Sequence, residues 1–383
     1  MSATASPTPG PRPKTSVLDI APYRTKPSRP TPKVADLSAN ESAFGASQQA
    51  IRAYRRAAAA LHRYPDGAAR GLRQAIAAGH GLEPERIVCG DGSDEILHLV
   101  CLAYAGPGDE VVYLEHSFPV YSMAARISGA VPVAVPVSRP DLVCDVDALL
   151  AKIGPKTRVL FLTNPGNPSG ACLCADDIRR LHAGLPDDVL LVLDAAYAEY
   201  VLRDDYDAGD GLARDAANVV MTRTFSKIYG LASLRLGWAY GPVPVIEILN
   251  RVRGPYNVSG PAQAAGIAAL GDQAFVAHAR DHTVLWRARL RDGLTALGFD
   301  VPASQGNFLL VPFPGPLSGD GEERAAAAQD FLARRGFLVR PMHAYGLAHC
   351  LRFSIGTETE NRGLLAAFGD LVDRGMGNGA PAS

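Results

Sequence analysis

The chain has 383 residues, 47% hydrophobic and 20% charged, and its 38 Lys and Arg nearly balance 39 Asp and Glu for a net charge of −1. That length can bury a substantial core in one large or two ordinary domains. The even charge lacks the basic excess of a nucleic-acid binder, no apolar run approaches the ~18 residues of a membrane span, residues 1–14 lack the apolar stretch of a secretory signal, and six cysteines are too sparse for a disulfide scaffold, which leaves a cytosolic enzyme or a soluble binding protein.

In chain order, residues 1–15 carry prolines at 7, 9, 11 and 13 and read as a disordered tail. Prolines at 22, 27, 30 and 32 predict an extended arm over 16–45, with no helix. Helices are expected over 48–61 and 71–78, separated by Tyr64-Pro65-Asp66-Gly67. Strands and helices then alternate. Strands are predicted at 86–89, 110–114, 131–135, 157–162, 189–193, 219–223 and 236–240, with helices at 93–104, 121–128, 147–153 and 176–184. Short apolar strands without polar alternation are buried on both faces, as in a mostly parallel sheet flanked by helices. This is an α/β fold. After Gly241 the pattern changes to helices over 244–253, 261–270 and 272–297. A strand at 308–311, a helix at 325–335, strands at 337–340 and 351–355 and a helix at 358–373 follow, a smaller α+β unit that part of the N-terminal arm is expected to join. The expected division is an arm over 16–45, a large domain over 46–253, a small domain over 254–374 and a disordered tail over 375–383.

Four segments carry chemistry. Gly90-Asp91-Gly92-Ser93-Asp94-Glu95 follows a strand and opens a helix, whose first amides form an anion site. A dinucleotide fingerprint needs glycine where Glu95 stands, so the alternatives are a lone phosphate or a plain helix start capped by Ser93. Asn164-Pro165-Gly166-Asn167-Pro168-Ser169-Gly170 forms a loop at the carboxyl end of a strand, where ligands bind in open α/β sheets. Asp194 closes an apolar strand, with Tyr197 three residues on. A carboxylate there is costly unless something cationic or hydrogen-bonding faces it, and Glu199 is expected to point elsewhere. Thr224-Phe225-Ser226-Lys227 follows another strand, with Arg235 eight residues later. A lysine beside two hydroxyls and an arginine suits a phosphate-and-amine site, and such a lysine can act as nucleophile and base. Each segment alone is weak. Together they offer a phosphate cradle, a buried acid, an Asn loop and a nucleophilic lysine, which pyridoxal phosphate requires.

With these motifs the sequence resembles the fold-type I, aspartate-aminotransferase-like enzymes of class I and II, and among them the histidinol-phosphate aminotransferases, from about 17 to 373. Leu37-Ser38-Ala39-Asn40-Glu41, Arg63-Tyr64-Pro65, Val339-Arg340-Pro341 and Leu351-Arg352-Phe353-Ser354-Ile355-Gly356-Thr357 extend the match. The resemblance implies that Lys227 holds the cofactor covalently and moves the substrate's α-proton. It implies that Asp194 pairs with the pyridine nitrogen and that Asn167 and Tyr197 bond the phenolic oxygen. Ser93, Asp94, Thr224, Ser226 and Arg235 are to hold the phosphate, with Tyr64 reaching it across a homodimer interface, and Phe118 is to stack on the ring. Arg352, with Arg340 near it, is to bind the substrate's acidic group, and Tyr23 and Asn40 are to close over the substrate. Gly166 and Ser169 depart from the usual Asn and Thr, and Phe118 from a frequent Tyr. These departures keep the cofactor loop but loosen the substrate assignment.

The implied function is cytoplasmic transamination of histidinol phosphate with glutamate and 2-oxoglutarate, in histidine biosynthesis. An aromatic amino acid aminotransferase is the alternative, and a threonine-phosphate decarboxylase-like lyase a further one. A transcription regulator with a degenerate domain of this type would need a DNA-binding module, for which the first 45 residues are too short and Pro-rich. No metal is expected. Cys172 and Cys174 lack a second ligand pair at zinc spacing. His278 and His282 are expected on a solvated helix face, Trp286 in the core, and His343 and His349 near the substrate entrance.

Overall fold

A computed structural model describes residues 13–21, 34–138, 141–313 and 320–375. Tyr23 lies outside them. The strands are β1 (Ala35–Asp36), β2 (Ile87–Asp91), β3 (Glu110–Leu114), β4 (Val131–Val135), β5 (Thr157–Thr163), β6 (Leu190–Asp194), β7 (Val219–Thr224), β8 (Leu236–Tyr240), β9 (Phe308–Pro312), β10 (Phe337–Leu338), β11 (Arg340–Pro341) and β12 (Cys350–Ser354). Seven of them form one sheet in the order β2-β8-β7-β6-β5-β3-β4. Its pairs are parallel from β7 to β4, while β8 runs antiparallel to both neighbours.

Alternate residues of these strands enter opposite cores. Ile87, Cys89, Leu191 and Leu193 face one apolar cluster, and Val88, Leu190 and Val192 face the other. A period of two with both sides apolar is why the strands read as unbroken hydrophobic runs. A third core lies on the sheet β11-β12-β9, under the helices Asp320–Arg334 and Glu358–Asp373. Leu37 from the arm enters this third core, and β1 pairs with β10 in parallel. The arm therefore joins the smaller unit.

Three expectations change. The turn Thr15–Leu18 is helical, because the Pro-free stretch 14–21 precedes the first arm proline; Lys14 Nζ donates to Ile127 O at 3.2 Å beside it. The expected 337–340 strand divides into β10 and β11, which pair with different partners. Helix Gly260–Gly271 buries Ala262, Ala265 and Ala269 in the same core as β2 and β6, so a boundary at 253/254 divides one core. The change of core falls inside helix Gln273–Ala296. Its Val276 and Ala279 pack on the large core, and its Trp286, Leu290 and Leu294 on the small one.

Candidate active site

The carboxyl ends of β5, β6 and β7 and the start of helix Gly92–Tyr104 meet in one region. Gly92 has φ +75°, and a Cβ there would lie 2.3 Å from Arg235 Nη2. A Cβ on Gly237 would lie 2.2 Å from Ser93 N. Only glycine lets the helix start, β8 and the arginine approach this closely. Arg235 reaches Ser226 Oγ and Asp94 Oδ2, both at 3.4 Å, and Ser226 N donates to Thr224 Oγ1 at 3.1 Å. Ser93, Asp94, Thr224, Ser226 and Arg235 thus come together around a helix N-terminus, a donor set suited to a phosphate dianion. Ser93 is not the helix cap. The helix begins one residue earlier, and Glu95 Oε2 instead accepts from Asp91 N at 2.6 Å.

Asp194 is buried at the end of β6, and Tyr121 OH donates to its Oδ2 at 2.7 Å while Thr222 Oγ1 lies 3.4 Å from Oδ1. The Tyr121 proton is committed to Asp194, so the Thr163 hydroxyl beside it donates to the phenol oxygen. Burial pushes the Asp194 carboxyl from 3.8 up to about 6, against the pull of the Tyr121 bond. Tyr121 is itself fully buried, stacked on Phe161 at 4.7 Å, with Phe118 edge-on at 5.9 Å. Glu199 does point away, into an ion pair with Arg223 at 3.3 Å.

The sign of the Asp194 shift sets a pH dependence. Because its folded value lies above its unfolded one, the unfolded chain ionises first, and stability falls as pH rises from 3.8 toward about 6. Tyr121→Phe removes a donor to the carboxylate and is expected to cost about 1.5–3 kcal/mol once Asp194 is ionised. Urea unfolding of the cofactor-free chain across this range should show a steeper loss in Tyr121→Phe and a shallower one in Asp194→Asn. Parallel curves for all three chains would remove Tyr121 from the support of Asp194.

Lys227 follows β7, and its Nζ donates to Ala39 O at 3.3 Å. Burial, then the Arg352 charge, lower it to about 8, so a neutral amine is accessible near physiological pH. Tyr197 is buried, its phenol also pushed up by burial, and accepts from Asn40 Nδ2 at 2.9 Å. Arg352, only 4% exposed, lies between the rings of Phe308 and Tyr345, at 5.4 and 5.8 Å. It donates through Nη1 to Asn167 Oδ1 and through Nη2 to Ser38 O at 3.4 Å, and its Nε has no partner. With Asn167 Oδ1 so engaged, the amide nitrogen is the end left to donate. Arg340 stands directly opposite Arg352 in the β11–β12 pair.

Other expected positions lie apart. Tyr64 is 82% exposed and stacks on Tyr256 at 4.6 Å. His278 is exposed, as expected, whereas His282 is half-buried. Phe44 of the arm packs against both rings at 4.6 and 4.7 Å, and His282 Nε2 donates to Gly356 O at 2.9 Å. His343 pairs with Glu322 at 3.2 Å. Sequence reasoning missed Tyr121, Thr163, Asn307 and Ser354. Asn307 Nδ2 donates to Asn40 O at 3.0 Å, and Ser354 Oγ accepts from Asn40 N at 2.8 Å. For Ser354, a polar residue among the apolar positions of β12 was the available signal; Asn307, which follows Ser304-Gln305-Gly306, carried none.

A sequence profile of the aminotransferase class I and II family matches residues 32–368. The chain belongs to this family. Among curated relatives, it is 47% identical over 365 residues to the histidinol-phosphate aminotransferase of Rhodopseudomonas palustris, covering 94% of this chain and 98% of the relative. Among solved structures, the histidinol-phosphate aminotransferase of Sinorhizobium meliloti, in complex with pyridoxal-5'-phosphate, matches with TM-score 0.82 and 30% identity over 89% of this chain and 91% of that one. Aspartate aminotransferase from Thermus thermophilus matches with TM-score 0.77 and 27% identity, over 88% and 91% of the two chains. The fold is aspartate-aminotransferase-like, and the chain is an aminotransferase.

Proposed function

We propose that this aminotransferase uses pyridoxal phosphate to move an amino group between histidinol phosphate and 2-oxoglutarate. The observation that carries the substrate is the near full-length identity to relatives of that name. The cofactor reading rests on the donor set. Gly92 and Gly237 let the helix N-terminus and Arg235 approach closely, so that amides and guanidinium stand side by side for a phosphate, and a lysine lowered to about 8 stands in the same site. Pyridoxal phosphate, when bound, supplies a carbonyl for that amine and a ring that withdraws electrons.

The chain's own residues then take defined tasks. Ser93, Asp94, Thr224, Ser226 and Arg235 bind the phosphate. Asp194 presents a carboxylate to the ring nitrogen, Phe118 an aromatic face, and Asn167 and Tyr197 donors to the ring oxygen. Lys227 Nζ carries the proton to and from the substrate's α-carbon. Arg352, with Arg340 beside it, binds the substrate's phosphate or carboxylate, a fork suited to either anion, and Tyr23 of the arm adds a hydroxyl for the larger phosphate.

The same reading makes the enzyme a cytoplasmic homodimer. Tyr64, stacked on Tyr256 and with exposed Leu61 and Ile267 on the same chain, offers apolar surface for a second copy to cover, and Tyr64 then serves the partner's phosphate cradle. Mixing Tyr64→Phe chains with Lys227→Ala chains should restore sites with both residues intact. Hybrids no more active than either parent would overturn the shared site. The substrate reading is tested by kcat/KM for histidinol phosphate against phenylalanine and tyrosine. A higher value for either aromatic amino acid would reassign the enzyme to aromatic transamination.

A further inference from the structure

Asn40 has an unusual setting for a residue expected to touch substrate. It is 1% exposed and adopts φ +54°, a left-handed conformation that Asn, Asp and Gly tolerate. Both backbone groups are held by the small unit: the amide by Ser354 Oγ at 2.8 Å, the carbonyl by Asn307 Nδ2 at 3.0 Å. Its side chain instead crosses to the large unit, where Nδ2 donates to the Tyr197 hydroxyl at 2.9 Å. Its Oδ1 is buried without a partner. A side chain placed to accept would have satisfied that oxygen with the Tyr197 proton; the observed orientation spends the donor and leaves the acceptor empty.

This arrangement has a polarity. A phenol oxygen that accepts from Asn40 keeps its own proton for a third group. We infer that Asn40 is a positioning residue that aims the Tyr197 hydroxyl, directing its proton toward the ring oxygen of the bound cofactor and forbidding the reverse bond. The inference rests on the pyridoxal phosphate reading. It explains why an amide suits the position: a carboxylate of the same shape can only accept, so it would capture the Tyr197 proton. It also ties the aim of Tyr197 to the small unit, because Ser354 and Asn307 fix the Asn40 backbone.

The consequence is spectroscopic. A donor on the ring oxygen draws off negative charge that otherwise holds a proton on the adjacent Lys227 nitrogen. Losing that donor raises the pH midpoint of the bound cofactor's visible absorbance. The experiment titrates this absorbance in wild type, Asn40→Asp, Asn40→Gly, Tyr197→Phe and the double variant Asn40→Asp/Tyr197→Phe, each saturated with pyridoxal phosphate. Both Asn40 substitutions keep the backbone conformation accessible. Asn40→Asp should raise the midpoint by roughly one to two pH units, about as far as Tyr197→Phe. Asn40→Gly should raise it less, and the double variant no further than Tyr197→Phe alone. An Asn40→Asp midpoint at the wild-type value, or no higher than that of Asn40→Gly, overturns the inference. So does an Asn40→Asp shift that persists without the Tyr197 hydroxyl, which would mark a plain charge effect. A wild-type chain that develops no chromophore overturns the cofactor reading and this inference together, whereas a chromophore with unmoved midpoints overturns the inference alone.

Discussion

Lys227→Ala is expected to lower kcat by at least ~10²–10⁴-fold, the contribution of a positioned general base alone, with the loss of the covalent cofactor bond adding to it. The expectation follows from the position of the amine. Lys227 sits at the end of β7 between the phosphate cradle and the arm, its Nζ on Ala39 O at 3.3 Å. Burial lowers it to about 8, so the neutral, nucleophilic form gains population as pH rises through that value. Borohydride reduction of the chain loaded with pyridoxal phosphate, followed by peptide mapping, should place the label on Lys227. Label on another lysine would overturn the site as a whole.

Arg352→Ala is expected to lower kcat/KM for every substrate. A buried arginine that loses its place opposite an anion leaves an unpaired charge, at a cost of about 2–5 kcal/mol, or roughly 30- to 5,000-fold. The arginine is 4% exposed, with one nitrogen unpartnered. Asn167 and Ser38 hold its other two nitrogens, so the guanidinium is already oriented before any substrate arrives. Tyr23→Phe provides the contrast. Losing one hydroxyl bond to a charged group costs roughly 10- to 150-fold, and that loss is expected for histidinol phosphate more than for glutamate or phenylalanine. If Arg352→Ala spares the amino acids bearing only a carboxylate, the shared anion site is wrong. Equal losses for Tyr23→Phe across all substrates would remove its phosphate-specific role.

What was legible in the sequence lies close together along the chain. Asp194 with Tyr197, Thr224 to Lys227, and the glycines around Ser93 each sit within a few residues of a strand end, and their chemistry follows from composition and order. What stayed hidden was set by packing between distant segments. Tyr121 looked like an ordinary apolar helix position, and only the fold brings its hydroxyl within 2.7 Å of Asp194. The Ala-rich pattern of Gly260–Gly271 announces a helix, but its small side chains suit either core, so it did not say which one it joins. The polar spacing of His278 and His282 suggested solvent, which holds for His278, but it could not show that Phe44 from the arm packs beside both rings or that His282 bonds Gly356 O.

The arm's carbonyls carry a consequence for the order in which the molecule is made. Leu37 O accepts from Ser354, Ser38 O from Arg352, Ala39 O from Lys227, and Asn40 O from Asn307. Asn40 and Ser354 are separated by 314 positions, and Asn40 and Asn307 by 267. On a ribosome the arm therefore emerges long before the groups that grip it. The large sheet, complete by Tyr240, can condense first, since domains fold as units during synthesis. A chain at that stage already carries Lys227, Tyr197, Asp194 and the phosphate cradle, so Ala39 and Asn40 of the arm can touch the site, yet the arm still lacks the grips of Asn307, Arg352 and Ser354. The nascent protein thus passes through a stage with the arm only partly fastened over the amine, and the full set of grips is in place only when β12 is added.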